Sequence, residues 1–441
     1  MEPVTIGYIL IAVMVGLIVL GMHIGIVLIT LAGVGVYLIR DNIDLAFRLT
    51  AIATYSGIQD YLFATIPLFV LMGLLVSVSN VGKDTFDVAQ ALLRRIRGGL
   101  GMATVAANAV FAAVTGVSIA SAAVFTKVAV PEMRRHGYTM RFATGTVAGS
   151  SILGMLIPPS LLMIIYGVLA EVSIGKMFIA GVIPGLIISF GFVAMIYGLA
   201  RFAPGFVMVD PAEIERKMTE GPGLSGAEMA AKSLPITGLV VLILGGLYTG
   251  VFTPTEAGGV GAFGALLIAV VRRRLDLPKL WRILTETGHV SVSILFLLIA
   301  AGLYSRMLSL AGVPNAIGDL VEHLGFGPYG FLLVYVVIIL LLGMILDSSS
   351  ILLIMVPIAA PIAQEFGFDL IHFGIVTIIA VEAGLLTPPF GISVFTVKAT
   401  LSDRTAPIEE IFAGAIPFVL VMLVALLLIA AFPLLATALV K

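Results

Sequence analysis

Between Val4 and Ile39 the chain runs for 36 residues in which only His23 can ionise. As one helix this stretch would be roughly 54 Å long, against a bilayer hydrocarbon core of roughly 30 Å. The pattern therefore predicts two spans that turn near Gly21 to Gly25. Charged and apolar positions then mix from Asp41 to Asp60, as in a helix lying along the interface, and Tyr61–Ser79 is apolar enough to span. Val81–Arg97 reads as a second surface helix closing on Arg94, Arg95 and Arg97, so that residues 4–97 form a first set of scaffold spans.

The next run, 99–131, is too long for one crossing and too short for two crossings of about 20 residues each. Its flanks carry Arg94, Arg95 and Arg97 on one side and Arg134 and Arg135 on the other. Arginine marks the cytoplasmic face, so both ends belong on the same side. A re-entrant hairpin turning at Thr115–Ser118 meets both conditions; a single tilted helix would strand one arginine cluster outside. Residues 142–170 would cross as a helix interrupted at Pro158 and Pro159, and Met177–Ala200 would return to Arg201. The mixed-charge stretch 204–232 is expected to be a cytoplasmic linker.

The second half is expected to follow the same plan. Leu234–Val271 supplies two spans, Arg272–Thr287 a surface helix and Val290–Leu308 a span, giving scaffold spans over 234–308. Residues 327–361 form a second hairpin, 373–397 a second broken helix, and Ala413 to about Leu434 a last span. The motifs coincide at a fixed offset: GSSILGMLIPPS (Gly149–Ser160) and EAGLLTPPF (Glu382–Phe390) place Gly154 and Gly384, Pro158 and Pro388, and Pro159 and Pro389 each 230 apart. Ser118 and Ser348, Pro131 and Pro361, and Gly137 and Gly367 keep that offset. The halves are thus 1–203 and 233–441. Five crossings in the first half, an odd number, invert the second, and Arg272, Arg273, Arg274, Lys398 and Arg404 fall where inversion needs cytoplasm. The fold class expected is an all-α integral membrane protein with inverted repeats, about ten crossings, two re-entrant hairpins and two broken helices.

Composition agrees: 60% of the residues are hydrophobic and 11% charged, against about 45–50% and about 25% in soluble domains. A net charge of −1 suggests neither nucleic acid nor an anionic surface as partner. The chain has no cysteine, which excludes disulfides, thiolate metal sites and cysteine catalysis. No basic segment precedes the first apolar run, so that run is expected to be structure rather than a cleaved signal.

A proline has no N–H and displaces the carbonyl four residues back, so the Pro-Pro pairs should free the carbonyls of Gly154, Met155 and Gly384. Lipid tolerates such groups only where protein or a water-filled cavity surrounds them. Interrupted helices at matching positions of two halves point to the binding site of a secondary transporter. Around the first tip stand Thr115, Gly116, Ser118 and Ser121, facing Ser150, Ser151, Gly154, Pro158 and Ser160; around the second stand Asp347, Ser348, Ser349 and Ser350, facing Gly384 and Thr387. These are hard oxygen ligands, suited to a monovalent cation such as sodium rather than to zinc or copper. Asp347 is expected to ligate the cation, to cap the half-helix after it, or both. Glu382, alone in its helix, could be a ligand or carry a proton and ranks below Asp347. Lys127, His23, His289 and Arg306 read as interfacial side chains whose charge snorkels to water.

TGVSIAS, SSILGMLIPPS, GVFTPTEAG (Gly250–Gly258), LDSSS and EAGLLTPPFG together resemble the large membrane subunit of the tripartite ATP-independent periplasmic (TRAP) transporters, over essentially the whole chain. The resemblance implies a sodium-driven importer of the bacterial inner membrane, working by an elevator motion of hairpins and broken helices around about two Na+ sites. It implies as partners a small four-helix membrane subunit and a periplasmic substrate-binding protein that delivers an organic anion, typically a carboxylate. It maps cation ligation onto Thr115, Gly116, Ser118, Ser121, Gly154, Pro158, Asp347, Ser348, Ser349, Gly384 and Thr387, and substrate contact onto Ser150, Ser151, Ser160 and Thr387. The role of Thr253–Glu256 within GVFTPTEAG is left open. A stand-alone sodium–dicarboxylate symporter shares the paired hairpins and Pro-Pro breaks. A membrane enzyme is disfavoured by the lack of HExxH, GxSxG or paired histidines, and a channel by the repeat itself.

Overall fold

The structure, a computed structural model, describes residues 1–210, 224–323, 325, 327–401 and 406–440. Its first elements are α1 (Pro3–Val19) and α2 (Ile24–Arg40), parted where Gly21 adopts a left-handed φ of +85°. Then follow α3 (Ile43–Gln59), a single 3-10 turn (Tyr61–Ala64), α4 (Thr65–Val78) and α5 (Val81–Leu93). The expected surface helix thus ends at Leu93, short of Arg97. The first hairpin is α6 (Gly99–Thr115) and α7 (Ser118–Arg135), packed along one another. The broken helix is α8 (Met140–Ser151), α9 (Leu153–Leu156) and α10 (Leu161–Leu169), with a 43° bend between its arms. A 29-residue α11 (Ile174–Phe202) and the short α12 (Pro204–Val207) complete the half.

The expected linker is narrower than 204–232. Residues 211–223 lie outside the described residues, and α13 (Gly226–Tyr248) already starts at a capping box between Ser225 and Glu228. A second capping box explains the TPTE string: Thr253 Oγ1 accepts from Glu256 N at 3.3 Å while Thr253 N donates to Glu256 Oε2 at 2.8 Å, opening α14 (Pro254–Val271) with Pro254 in its first turn.

One expectation is corrected here. Arg272–Thr287 and Val290–Leu308 are not a surface helix and a separate span; Leu277–Ala311 is a single 35-residue helix, α15. No proline or cap interrupts it, and Thr287 and Ser293 return their hydroxyls to the carbonyls of Ile283 and His289, inside the helix. Its first-half counterpart is α3, the turn and α4. There Asp60 caps the turn by accepting from Leu62 N at 2.9 Å and splits the rod in two. An amphipathic α16 (Val313–His323) follows, matching α5 and unanticipated from the pattern.

The second hairpin is α17 (Pro328–Gly343) and α18 (Ser348–Glu365), and the second broken helix is α19 (Leu370–Gly384) and α20 (Ile392–Thr400). The last elements are α21 (Ile408–Ala431) and α22 (Leu434–Thr437). Arg404 lies outside the described residues. The offset survives in three dimensions: α7 and α18 start at 118 and 348 and end at 135 and 365, α8 and α19 start at 140 and 370, and each pair differs by 230. Both hairpin arms run past Pro131 and Pro361, where sequence placed their ends.

Seven helices among the described residues are long and apolar enough to cross a bilayer, or up to nine counting bent pairs. Pro3–Val19 and Ile24–Arg40 are apolar but shorter, at 17 residues each. The interior lies at the broken helices: Phe142 to Leu156 and Phe373 to Leu386 are buried without interruption. Elsewhere the halves are tied by the hydroxyls of Thr65 and Thr255, 2.7 Å apart, and by an ion pair from Arg272 to Asp84, and Lys232, just ahead of the second half, pairs with Asp87.

Candidate ion and substrate site

At the first tip, α6 ends with the Thr115 hydroxyl donating to Phe111 O at 3.0 Å, and Gly116 turns the chain with φ +62°. The Gly116 carbonyl accepts from Leu161 N at 3.2 Å, which joins the tip to the far arm of the broken helix. The near arm closes from the other side, since a Cβ on Gly154 would stand 3.0 Å from the Val117 carbonyl. Ser160 caps α10 by accepting from Met163 N at 3.4 Å and donates its hydroxyl to Met155 O at 2.6 Å. One carbonyl expected to be free is therefore engaged. The break is Ile157–Ser160, and its Pro158–Pro159 peptide is cis, as is Pro388–Pro389.

Asn108 was not anticipated. Its Oδ1 accepts from Ser121 Oγ at 2.5 Å and its Nδ2 donates to Ser150 Oγ at 2.6 Å; Ser150 in turn donates to Thr146 O at 2.6 Å. This buried chain ties both arms of the hairpin to the broken helix. It commits the hydroxyl protons of Ser121 and Ser150, while that of Ser151 goes to Ala148 O at 2.8 Å. The signal was available: Asn108 is the only amide side chain between Gly99 and Pro131.

At the second tip, Asp347 caps α18, accepting from Ser350 N at 3.1 Å and from the Ser350 hydroxyl. Its side chain is on the exposed side of the tip, and Ser349 is half-buried. The buried carboxylate is that of Glu382, which is 0% exposed. Its Oε1 accepts from Ser348 Oγ at 2.8 Å, and its Oε2 has no partner among the described residues. Ser118, from the other hairpin, lies beside the same carboxyl group, and its buried hydroxyl makes no hydrogen bond of ordinary geometry among the described residues. Ser118 and Ser348 are the first residues of α7 and α18 and are equivalent in the repeat. Two half-helix N-termini therefore converge on one carboxylate, each bringing the partial positive charge of unsatisfied N–H groups.

The Gly384 carbonyl, expected to be free, accepts from Thr387 N at 2.9 Å, and the Thr387 hydroxyl donates to Ala383 O at 2.9 Å. A tight turn thus closes the helix where the proline removes the next donor. Gly384 is required by proximity: a Cβ on it would stand 2.7 Å from Gly343 Cα. Pro388, Pro389 and Phe390 are exposed, and Phe390 borders a cleft of about 430 Å³ lined by Ile345, Phe395 and Thr396. Of the residues singled out from sequence, the structure brings Ser118 and Ser348 to one point. Thr115, Gly116, Gly154 and Ser160 frame the first break, Gly384 and Thr387 close the second, and Asp347 and Ser349 stand at the rim of the second tip.

Compared with known families, residues 11–435 match the model described as "Tripartite ATP-independent periplasmic transporter, DctM component". The chain belongs to this family. It is 36% identical over 396 residues, 89% of each chain, to the C4-dicarboxylate TRAP transporter large permease of Pseudomonas aeruginosa. It is 30% identical to the sialic acid TRAP transporter large permease of Vibrio cholerae, covering 95% of this chain and 94% of that one. It is 31% identical to the ectoine TRAP transporter large permease of Halomonas elongata, covering 96% of each. The Alcanivorax borkumensis YdaH transporter has a similar fold, with a TM-score of 0.61 over 90% of each chain at 13% identity. The chain is accordingly an integral, multi-pass membrane protein and the large permease of a TRAP secondary transporter for carboxylates or other organic acids, consistent with the inner membrane. Its relatives are permease subunits, not enzymes, as the sequence led us to expect.

Proposed function

We propose that this permease imports an organic acid anion by coupling it to sodium. The observation that carries the reading is the meeting of Ser118 and Ser348 at the buried Glu382, where one carboxylate oxygen and one hydroxyl make no hydrogen bond of ordinary geometry among the described residues. Such a point has oxygen ligands and a countercharge for a cation, and it belongs to both hairpins at once. About two Na+ are assigned to the tips: one to Thr115, Gly116, Ser118, Ser121, Gly154 and Pro158, the other to Asp347, Ser348, Ser349, Gly384 and Thr387, with Glu382 as the countercharge between Ser118 and Ser348. Substrate contact is assigned to Ser150, Ser151, Ser160 and Thr387, flanking the breaks.

The halves 1–203 and 233–441 are read as inverted repeats, with hairpins and broken helices moving as an elevator against the scaffold spans. A periplasmic binding protein is the proposed source of substrate, and a small four-helix membrane subunit the proposed brace. The names of the relatives span C4-dicarboxylates, sialic acid and ectoine, so the class proposed is the organic acids, with carboxylates first. The test is uptake into proteoliposomes holding both membrane subunits. Uptake should require an inward sodium gradient and the binding protein. Uptake driven by a proton gradient alone in sodium-free buffer would overturn the coupling, and uptake without any binding protein would favour the stand-alone symporter.

A further inference from the structure

A second cleft, also about 430 Å³, separates the first hairpin from the scaffold. One wall is α7, from Ala120 through Ala123 to Lys127; the other is α4, at Ser77, and the start of α15. From α15 come Lys279, Arg282 and Glu286. The cleft begins within one turn of Ser118, and Lys127 lies nine residues further, about 13 Å along the helix. It therefore extends from the hairpin tip toward the end carrying Arg134 and Arg135, the cytoplasmic end by the arginine rule.

Three cations face it and one carboxylate, Glu286. Lys279 is paired with Asp276 at 2.9 Å, and that carboxylate also acts on Arg282. Among the described residues Lys127 has no hydrogen-bonded or ion-paired partner, and Arg282 has no contact partner beyond the longer-range attraction of Asp276. The arginine rule explains why cations lie on this side; it does not explain why two of them, from separate helical bodies, meet over one concave surface with an apolar floor. Like charges that line one cleft repel, and an anion between Lys127 and Arg282 relieves that repulsion. The volume is that of a small-ligand pocket.

We propose that this cleft is a cytoplasmic exit site for the transported organic anion, with Lys127 and Arg282 as its carboxylate-binding groups. The inference rests on the reading of the chain as an organic-anion importer. Lys127 rides on the hairpin and Arg282 on the scaffold, so the two engage one carboxylate only while the hairpin is on the cytoplasmic side. The anion is drawn off the tip and released to the cytoplasm as the hairpin leaves.

The natural absence of cysteine permits a direct test. Ala123→Cys places one thiol in the cleft, and inverted membrane vesicles present the cytoplasmic face. The expected result is labelling by a sulfonate-bearing thiosulfonate about tenfold faster than by its trimethylammonium analogue, each normalised to a free thiol. Lys127→Gln with Arg282→Gln should bring the ratio close to one, whereas Lys127→Arg should preserve it. Succinate, used as the probe anion, should slow labelling by a neutral methyl thiosulfonate relative to chloride of equal ionic strength, and should lose that effect in the double variant. Equal rates in the parent, a ratio unmoved by the double variant, or no protection by succinate would each overturn the proposal. None of these readouts needs transport, so a permease that fails sodium-driven uptake would count against the function proposed above and leave the cleft to be decided by labelling.

Discussion

Glu382, Ser118 and Asp347 make separable predictions because their surroundings differ. Ser118→Ala removes a buried oxygen that makes no hydrogen bond of ordinary geometry among the described residues, so stability should hold while the cation loses a ligand. A buried polar contact is worth about 1–3 kcal/mol, which predicts that the sodium concentration for half-maximal uptake rises by about tenfold or more. Glu382→Gln keeps an oxygen to accept from Ser348 but deletes the charge, and transport should fall much further than in Ser118→Ala. Asp347→Asn retains a side chain able to cap α18, since Asn and Asp cap almost equally well. Its melting temperature should therefore stay close to the parent's, and any change in sodium dependence then isolates the countercharge. A large loss of thermal stability in Asp347→Asn would show that the carboxylate serves the cap and its Ser350 bonds. Sequence placed Asp347 at the second hairpin tip and Glu382 in the second broken helix, and ranked Asp347 first. Which of two lone acids is buried is decided by the packing of α18 on α19, which no local pattern contains.

Elements were legible where a rule of local chemistry is strict. The Pro-Pro pairs interrupt both helices where expected, although the single prolines Pro131 and Pro361 are carried inside α7 and α18, and both hairpins turn at the expected residues. The rod Leu277–Ala311 was misread since polar residues around Gly288 imitate a boundary, while a surface helix and a span can share one axis. The freed carbonyls were overestimated for a related reason: Ser160 Oγ and Thr387 N, both close in sequence, reach Met155 and Gly384. At this scale Gly384→Ala should drive a methyl into Gly343 and destabilise the second hairpin against its broken helix by about 1–3 kcal/mol. Thermal unfolding in detergent measures it, and an unchanged melting temperature would mean that the crossing relaxes freely. Asn108→Ala should also lower the melting temperature, because it leaves Ser121 and Ser150 buried without their shared partner.

For the whole molecule, the repeat supplies two matching oxygen-rich hairpin tips. The gapless offset of 230 made it visible in sequence, and the same offset relates the hairpin and broken-helix starts in the structure. The central proposal is that the halves are inverted, so that Ser118 and Ser348 reach one carboxylate from opposite faces of the membrane. The cysteine-free chain offers the most direct measurement. Arg135→Cys and Glu365→Cys place single thiols on the exposed ends of α7 and α18, at positions 230 apart. A membrane-impermeant maleimide applied to intact spheroplasts should label Glu365→Cys and spare Arg135→Cys, and inverted vesicles should reverse the pattern. Labelling of both positions from the same face would contradict the inverted repeat and the alternating-access reading built on it.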